Sequence, residues 1–358
     1  MNCDRRHIAL LKRLIATRSF SREEDRTADI WHEWLKEQGA EKTERLHNNV
    51  FAFSSSFDRA KPILMLNSHH DTVRPAGSYT RDPFSPDVEG DRLYGLGSND
   101  AGGSGVALAE AFLSLKDDKD FPVNLIFAIT AAEEVMGELG MRAVLPYLES
   151  RGLTPDMVLV GEPTGMQPAI AERGLLVLDC ETKGKSGHAA RNEGINALYR
   201  AMEDINALRE FSPEKTSEVL GPIKVSVTMM ECGTQHNVVP DRCRFVADVR
   251  TTDAYSNEET VELLRDCVKW STLTPRSTRV RASVIDTGHP LVASAIALGK
   301  TPFVSQTTSD MALMHGIPSL KMGPGDSARS HTADEYILLS EISEAVDTYI
   351  SLIRSLRS

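Results

Sequence analysis

Five short stretches of the chain place imidazole or carboxylate side chains beside apolar runs or glycine turns. The run Ile63 to Asn67 leads into Ser68-His69-His70-Asp71, Leu125 to Ile129 into Glu133-Glu134, and Met157 to Val160 into Gly161-Glu162-Pro163. Asp100 stands in Gly95-Leu96-Gly97-Ser98-Asn99-Asp100-Ala101-Gly102-Gly103, and His331 follows the turn Gly323-Pro324-Gly325. His69 and Asp71 are two apart and share one side of an extended chain. His69 could therefore bind a metal while Asp71 orients its ring, as outer carboxylates do for metal-bound imidazoles. Glu133 and Glu134 are adjacent and must point differently, so one can hold a cation while the other faces a substrate as general base. Each stretch alone also has a structural reading: a hydrogen-bonded turn for His69 and Asp71, a helix N-cap for Asp100, and exposed helix-start carboxylates for Glu133 and Glu134. Together they supply two imidazoles and three or four carboxylates in loops after successive strands, where open α/β sheets hold their ligands. Nitrogen and oxygen donors without thiolates suit zinc, manganese or cobalt. Two such ions roughly 3.5 to 4 Å apart would turn a bridging water into a hydroxide-like nucleophile and polarise a carbonyl, which brings amide hydrolysis within reach.

Competing chemistries fail on spacing. Gly95 and Gly97 begin a dinucleotide fingerprint, but its third glycine position is Asp100. Gly184-Lys185-Ser186 ends like a phosphate-binding loop, yet the required glycine five residues earlier is Asp179. Neither H-E-x-x-H nor G-x-S-x-G occurs.

The elements that must position these residues follow from periodicity. Pro62 to Asn67, Gly103 to Leu115, Val123 to Ala131, Met141 to Glu149 and Met157 to Gly161 alternate apolar runs with helical stretches. Continuous apolar runs mark strands covered on both faces, so a mostly parallel sheet is expected. Between 174 and 286 the strands alternate instead: strand Leu175 to Lys183, helix Ile195 to Leu208, strands Ile223 to Glu231 and Arg242 to Thr251, helix Glu258 to Trp270, strand Arg279 to Asp286. That order is β-α-β-β-α-β, ferredoxin-like. Afterwards come helix Pro290 to Leu298, a strand Ser319 to Met322 and a helix from about Ser340 to Leu356. The expected organisation is thus an α/β domain of 1–173 and 287–358 with a smaller domain, 174–286, inserted into it.

With 358 residues, two or three folding units are expected. A net charge of −11 argues against nucleic acid and against an anionic membrane surface as partners. The longest apolar stretches fall far short of the roughly 20 residues of a membrane-spanning helix. Residues 1–20 form an amphipathic helical pattern rather than a secretory signal. Five cysteines without C-x-x-C spacing suggest neither a disulfide framework nor a thiolate zinc site, and a reducing cytoplasm is the expected compartment.

The order His69-His70-Asp71-Thr72-Val73, Asp100, Glu133-Glu134, Gly161-Glu162-Pro163, Asn237-Val238-Val239-Pro240, Ser330-His331 resembles the di-zinc acetylornithine deacetylase, succinyl-diaminopimelate desuccinylase and aminoacylase family over nearly the whole chain. The resemblance implies a di-zinc exopeptidase-like catalytic domain with an inserted lid and dimerisation domain. It implies two Zn2+ ions, with Co2+ or Mn2+ as substitutes, bridged by Asp100 and completed by His69 and Glu162 on one side and Glu134 and His331 on the other. Glu133 becomes general base and then acid, with Asp71 in the catalytic set. His188 would reach the partner subunit's active site and stabilise the oxyanion, while Asn237 and Arg250 contact the substrate. The activity so implied is release of an acyl group from a small N-acyl amino acid, N-acetylornithine in arginine biosynthesis first, by a homodimer. Alternatives are N-succinyl amino acids, N-acetylcitrulline and, further off, dipeptides; from another class, a non-catalytic metal or metabolite binder. One departure is local. The family commonly carries an Arg before the bridging aspartate and Met-Lys after it, where this chain has Gly-Leu-Gly-Ser-Asn and Ala-Gly-Gly.

Overall fold

A computed structural model describes residues 5–55, 57–119, 121–191 and 193–356. Cys3 and the first residues of the N-terminal helical pattern lie outside them. The chain divides into two compact units, one of Met1–Ile170, Ile285–Phe303 and Ser309–Ser358, the other of Ala171–Val284 and Val304–Thr308.

In chain order the elements are α1 (Arg6–Ile15), α2 (Asp25–Glu37), β1 (Thr43–Leu46), β2 (Asn49–Phe53), β3 (Ile63–His69), β4 (Val88–Glu89), β5 (Arg92–Tyr94), α3 (Gly103–Leu115), β6 (Asn124–Thr130), α4 (Met141–Ser150), β7 (Met157–Val160) and β8 (Ala169–Glu172). There follow β9 (Gly174–Lys183), α5 (Ala197–Arg209), β10 (Lys224–Cys232), β11 (Arg242–Thr251), α6 (Asn257–Cys267), β12 (Ser271–Pro275) and β13 (Ser283–Val284). The last are α7 (Pro290–Ala297), β14 (Phe303–Ser305), β15 (Ser319–Lys321), β16 (Tyr336–Leu338) and α8 (Leu339–Arg354). No helix among the described residues is long and apolar enough to cross a membrane.

The first unit is α/β, with its sheet in the order β1-β2-β6-β3-β7-β15-β8. Its middle four strands are parallel, and every residue of β3 and β6 is buried, as their unbroken apolar runs require. Alternate side chains serve two cores. Leu64, Leu66, Leu125, Phe127 and Ile129 pack with α1, α2, α3 and α8, while Met65, Ile126, Ala128 and Val158 pack with Met141, Val144 and Leu148 of α4. Helix α3 is buried almost all round, which explains its lack of a polar face.

The parallel register sets His69 against Thr130 and Asn67 against Val160. The C-terminal ends of β6, β3 and β7 therefore share one edge, and the loops that follow them leave from the same crevice.

The flanks differ from the expectation of a mostly parallel sheet. The hairpin β1-β2 joins β6 antiparallel, and β8 runs antiparallel to β15. These edge strands are short, and sequence periodicity marked neither them nor the small β16-β5-β4 sheet.

The second unit holds a four-stranded antiparallel sheet, β10-β11-β9-β12. Helices α5 and α6 cover one face through a core that includes Leu178, Phe245, Val249 and Leu264. Met229 and Met230 are both exposed on β10, where a register shift between Val227 and Met229 breaks the alternation that the sequence suggests for Val225, Val227 and Met229.

Here one sequence reading is corrected. Helix α6 ends at Cys267 rather than Trp270, and the strand completing the β-α-β-β-α-β order is Ser271–Pro275, not Arg279 to Asp286. The cause is Asp204 of α5, buried, whose carboxylate accepts the backbone N–H groups of Lys269, Trp270 and Ser271. That turns the chain out of the helix early and lets Leu273 point into the core. Within the expected strand only Ser283–Val284 is extended, paired to β8.

Candidate metal centre

Four of the sequence-selected residues arrive on the shared edge of β6, β3 and β7. His69 is the last residue of β3 and is buried; Glu133 and Glu134 lie in the turn after β6; Glu162 follows β7 by two residues. Asp100 comes from the glycine loop before α3, and His331 from the segment before β16. The loop geometry depends on glycine. Gly97 sits at φ +75°, and a Cβ there would stand 2.6 Å from Thr72 Cγ2. Gly323 presses on Ser104 and on the backbone of Glu162, leaving no room for a side chain.

Two trios result, His69-Asp100-Glu162 and Asp100-Glu134-His331, with donor atoms in each within 4.8 Å of one another. His69 Nε2 is 3.2 Å from Asp100 Oδ1 and 3.7 Å from Glu162 Oε1. His331 Nε2 is 3.0 Å from Glu134 Oε2 and 3.6 Å from Asp100 Oδ2. Asp100 is the member common to both. Glu133, side by side with Glu134, belongs to neither and is 7 % exposed.

Asp71 ties the parts together. His69 Nδ1 lies 2.9 Å from the Asp71 backbone carbonyl, an acceptor only, so Nδ1 carries the proton and Nε2 is the nitrogen presented to the trio. The Asp71 carboxylate accepts the backbone N–H of Glu133 at 3.0 Å, that of Glu134 at 3.2 Å and the Ser21 hydroxyl at 2.7 Å. Asp71 therefore holds the His69 ring through its backbone carbonyl and, through its carboxylate, pins the turn that carries both glutamates.

Sequence reasoning missed further supports. Glu335, buried, accepts the backbone N–H groups of Gly97, Asn99 and Asp100 at 2.8 to 3.0 Å. Asn99 in turn donates to the Asp326 carbonyl and the Ser330 hydroxyl, joining the loops of Asp100 and His331. Glu24 receives the Ala132 N–H, and Asp310 receives the Thr130 hydroxyl at 2.8 Å. None has a spacing signal, because each reaches the site from a distant segment. Of these, Asp310 lies in Gln306-Thr307-Thr308-Ser309-Asp310, a stretch the family resemblance also places along the pocket, and Glu335 stands four residues after His331.

Electrostatics bear on the fit to a cation. Burial, then the charges of Glu162, Asp310 and Glu134, hold Glu133 well above the usual carboxylate range, against His69. Burial and the Asp100 charge push Glu162 up to about 8 despite His69 and Lys321. His69 is desolvated, yet its bonds to Asp100 and Asp71 raise it well above the ordinary imidazole value. The Glu134 hydrogen bond raises His331 to about 9. Too many buried carboxylates thus compete for too few protons. A divalent cation takes the place of those protons, leaving imidazoles neutral and carboxylates ionised. The donor set fits two such ions.

The residues expected to touch substrate lie in the second unit and are not all brought together. His188 bridges to Val238, and the Ala189 N–H donates to the Asn237 carbonyl at 3.0 Å, so His188 and Asn237 stand on paired, exposed segments. Arg250 lies at the other end of β11, eight residues from Arg242 and so roughly 27 Å along the strand at about 3.4 Å per residue. Its guanidinium forks onto Asp248, at 2.8 and 3.1 Å.

An α/β sheet with paired acid and imidazole trios at its carboxyl edge is the arrangement of a metallohydrolase. The model of Peptidase family M20/M25/M40 matches residues 65–355, and the chain belongs to that family. It is a metal-dependent hydrolase of amide bonds. Among curated proteins it is 28 % identical over 327 residues to a succinyl-diaminopimelate desuccinylase of Rhizorhabdus wittichii, covering 86 % of this chain and 84 % of the relative. It is 26 % identical over 307 residues to an acetylornithine deacetylase of Pectobacterium carotovorum, covering 81 % and 79 %. Among solved structures, the aminopeptidase PepT of Bacillus cereus superposes with a TM-score of 0.78 at 18 % identity, covering 98 % of both chains. The YXEP protein of Bacillus subtilis, described as a dinuclear metal binding peptidase, gives 0.72 at 17 %, covering 98 % and 97 %. At such identities the structures speak for the fold.

Proposed function

We propose that this chain removes the acyl group from a small N-acyl amino acid, with N-acetylornithine, yielding ornithine and acetate, as the first substrate. The observation that carries the reading is the division between Glu134, inside a donor trio, and Glu133, beside it and outside both. In this reading His69, Asp100 and Glu162 hold one divalent ion and Asp100, Glu134 and His331 a second, zinc, cobalt or manganese by donor chemistry. Bound there, the ions supply an acidified water and a polarised carbonyl. Glu133 Oε takes the proton of the attacking water and returns it to the departing amine nitrogen. Its raised proton affinity suits both acts. Asp71 keeps the Glu133 backbone and the His69 ring fixed. His188 is assigned to the developing oxyanion, and Asn237 and Arg250 to the substrate, whose carboxylate a planar guanidinium can fork; Arg250 would have to exchange Asp248 for it. The second unit, 174–286 in the sequence reading, acts as lid and as the surface of a cytoplasmic homodimer.

N-succinyl amino acids are a second reading, favoured by the succinyl-diaminopimelate desuccinylase relatives. Its local counterpart is the altered sequence around Asp100, which changes what can meet the acyl group.

The experiment is release of free amine by zinc- or cobalt-loaded protein from N-acetyl and N-succinyl forms of ornithine, citrulline, lysine and diaminopimelate, each with a chelated control. One preferred, chelator-sensitive substrate is expected. Turnover of dipeptides alone, or of nothing, would overturn the proposal.

A further inference from the structure

Outside the candidate centre, two thiols face each other across the hairpin that carries Asn237. Cys232 is the last residue of β10 and Cys243 the second of β11, and the antiparallel register makes them direct Cα partners. Directly opposed residues of antiparallel strands have Cα atoms about 4.5 or 5.5 Å apart, and both values fall within the 4.4 to 6.8 Å span of disulfides. Opposed residues also share a face. Cys243 is fully buried in the core of the second unit, and Cys232 packs against that core while remaining partly open to solvent on the edge strand. Both thiols are free.

We propose that Cys232 and Cys243 form a reversible intramolecular disulfide, a redox modification that staples the base of the hairpin spanning 233–242.

The two cysteines have different parts. Burial, and then Cys232, push the Cys243 thiol up to about 12, so it is a poor first nucleophile. Cys232, accessible and donating only to the Arg242 carbonyl at 3.4 Å, meets the oxidant first. With a low-molecular-weight disulfide as oxidant, the Cys232 thiolate attacks one sulfur, an S–S bond forms, and one thiolate leaves and takes up a proton. Cys243 then loses its proton and attacks Cys232 Sγ, expelling the second small thiolate. Two protein thiols are oxidised, one small disulfide is reduced to two thiols, and the two protons end on the departing sulfurs.

The loop that the staple closes contains Asn237, and that loop braces the His188 segment through the Ala189 N–H to Asn237 bond and a Val239 N–H to Gly187 bond at 2.9 Å. Oxidation therefore restrains both segments at once. The chemistry does not depend on which acyl amino acid the enzyme accepts.

The test exposes the reduced full-length protein to excess oxidised glutathione, followed by thiol counting and peptide mapping. The chain has five cysteines, so a fall to three free thiols, one Cys232–Cys243 peptide, no added glutathione and full reversal by dithiothreitol are expected. Cys243→Ser should instead trap one glutathione on Cys232. Amide exchange over 233–240 should slow in the oxidised wild-type protein. Five thiols retained, glutathione persisting on wild-type Cys232, or a different cysteine pair would overturn the assignment. Unchanged exchange in a protein that has formed the bond would overturn the staple.

Discussion

The carboxylate of Asp71 accepts the backbone N–H of Glu133 at 3.0 Å, and the carbonyl of the same residue receives His69 Nδ1. One residue, through its carboxylate and its backbone carbonyl, thus connects the residue proposed to move protons with an imidazole of the candidate centre, although they leave different strands.

Replacing Asp71 should therefore damage two things together. Asp71→Ala strands the Glu133 and Glu134 N–H groups, each costing about 1 to 3 kcal/mol when left unsatisfied. It also removes the carboxylate 3.5 Å from His69 Nδ1 and loosens the turn that carries Glu134, so metal retention should weaken by about 10- to 100-fold. Urea midpoint and metal content after dialysis check this; a variant that loses stability but keeps full metal would separate the two effects and sink the link.

Glu133→Gln preserves shape and removes the proton acceptor. It should keep both metals and lower kcat by about 10²- to 10⁴-fold. Metal analysis beside steady-state kinetics is the measurement, and equal turnover would remove Glu133 from the mechanism.

Metal removal should destabilise the fold as well as silence it, since Asp100, Glu134 and Glu162 are left to repel one another. With free metal a hundredfold above Kd, one bound site contributes about 2.7 kcal/mol. Thermal unfolding with and without chelator should show a lower midpoint in the stripped protein, and identical curves would contradict the cation fit.

An acid-sensitive contribution is expected far from the centre, at Glu110 of α3. Burial would raise this carboxyl, but hydrogen bonds from His7 and Arg6 outweigh it and hold it at about 2. The folded value lies below the unfolded one of about 4.3, so the stabilisation is complete above that pH and fades as pH falls towards 2. Allowing for solvent screening, Glu110→Gln should remove about 1 kcal/mol at neutral pH. The mutant and wild-type denaturation midpoints should converge near pH 2; a constant gap would refute the assignment.

The parts of this protein that were legible in its sequence are those whose neighbours are fixed by local pattern. β3, β6 and β7 show as unbroken apolar runs because crossover helices bury both faces, and the chemistry follows each run at the strand's end. β12 was missed because its start is dictated by Asp204, more than sixty residues upstream. Glu24 and Glu335 were invisible as supports for the same reason, and Asp310 was marked only by the family resemblance: a buried carboxylate satisfied by remote backbone N–H or hydroxyl groups has no period. Arg250 shows the converse. Its residue type suits a substrate carboxylate, but residue type alone did not reveal that Asp248 already occupies its fork.

The two trios also differ in when the growing polypeptide can own them. His69, Asp100 and Glu162 have all been synthesised before the second unit begins, whereas Glu134 waits for His331, 197 residues later. Asp100 is therefore shared not only between two positions in space but between an early and a late stage of biosynthesis. A nascent chain can present one set of donors while the other is still half written.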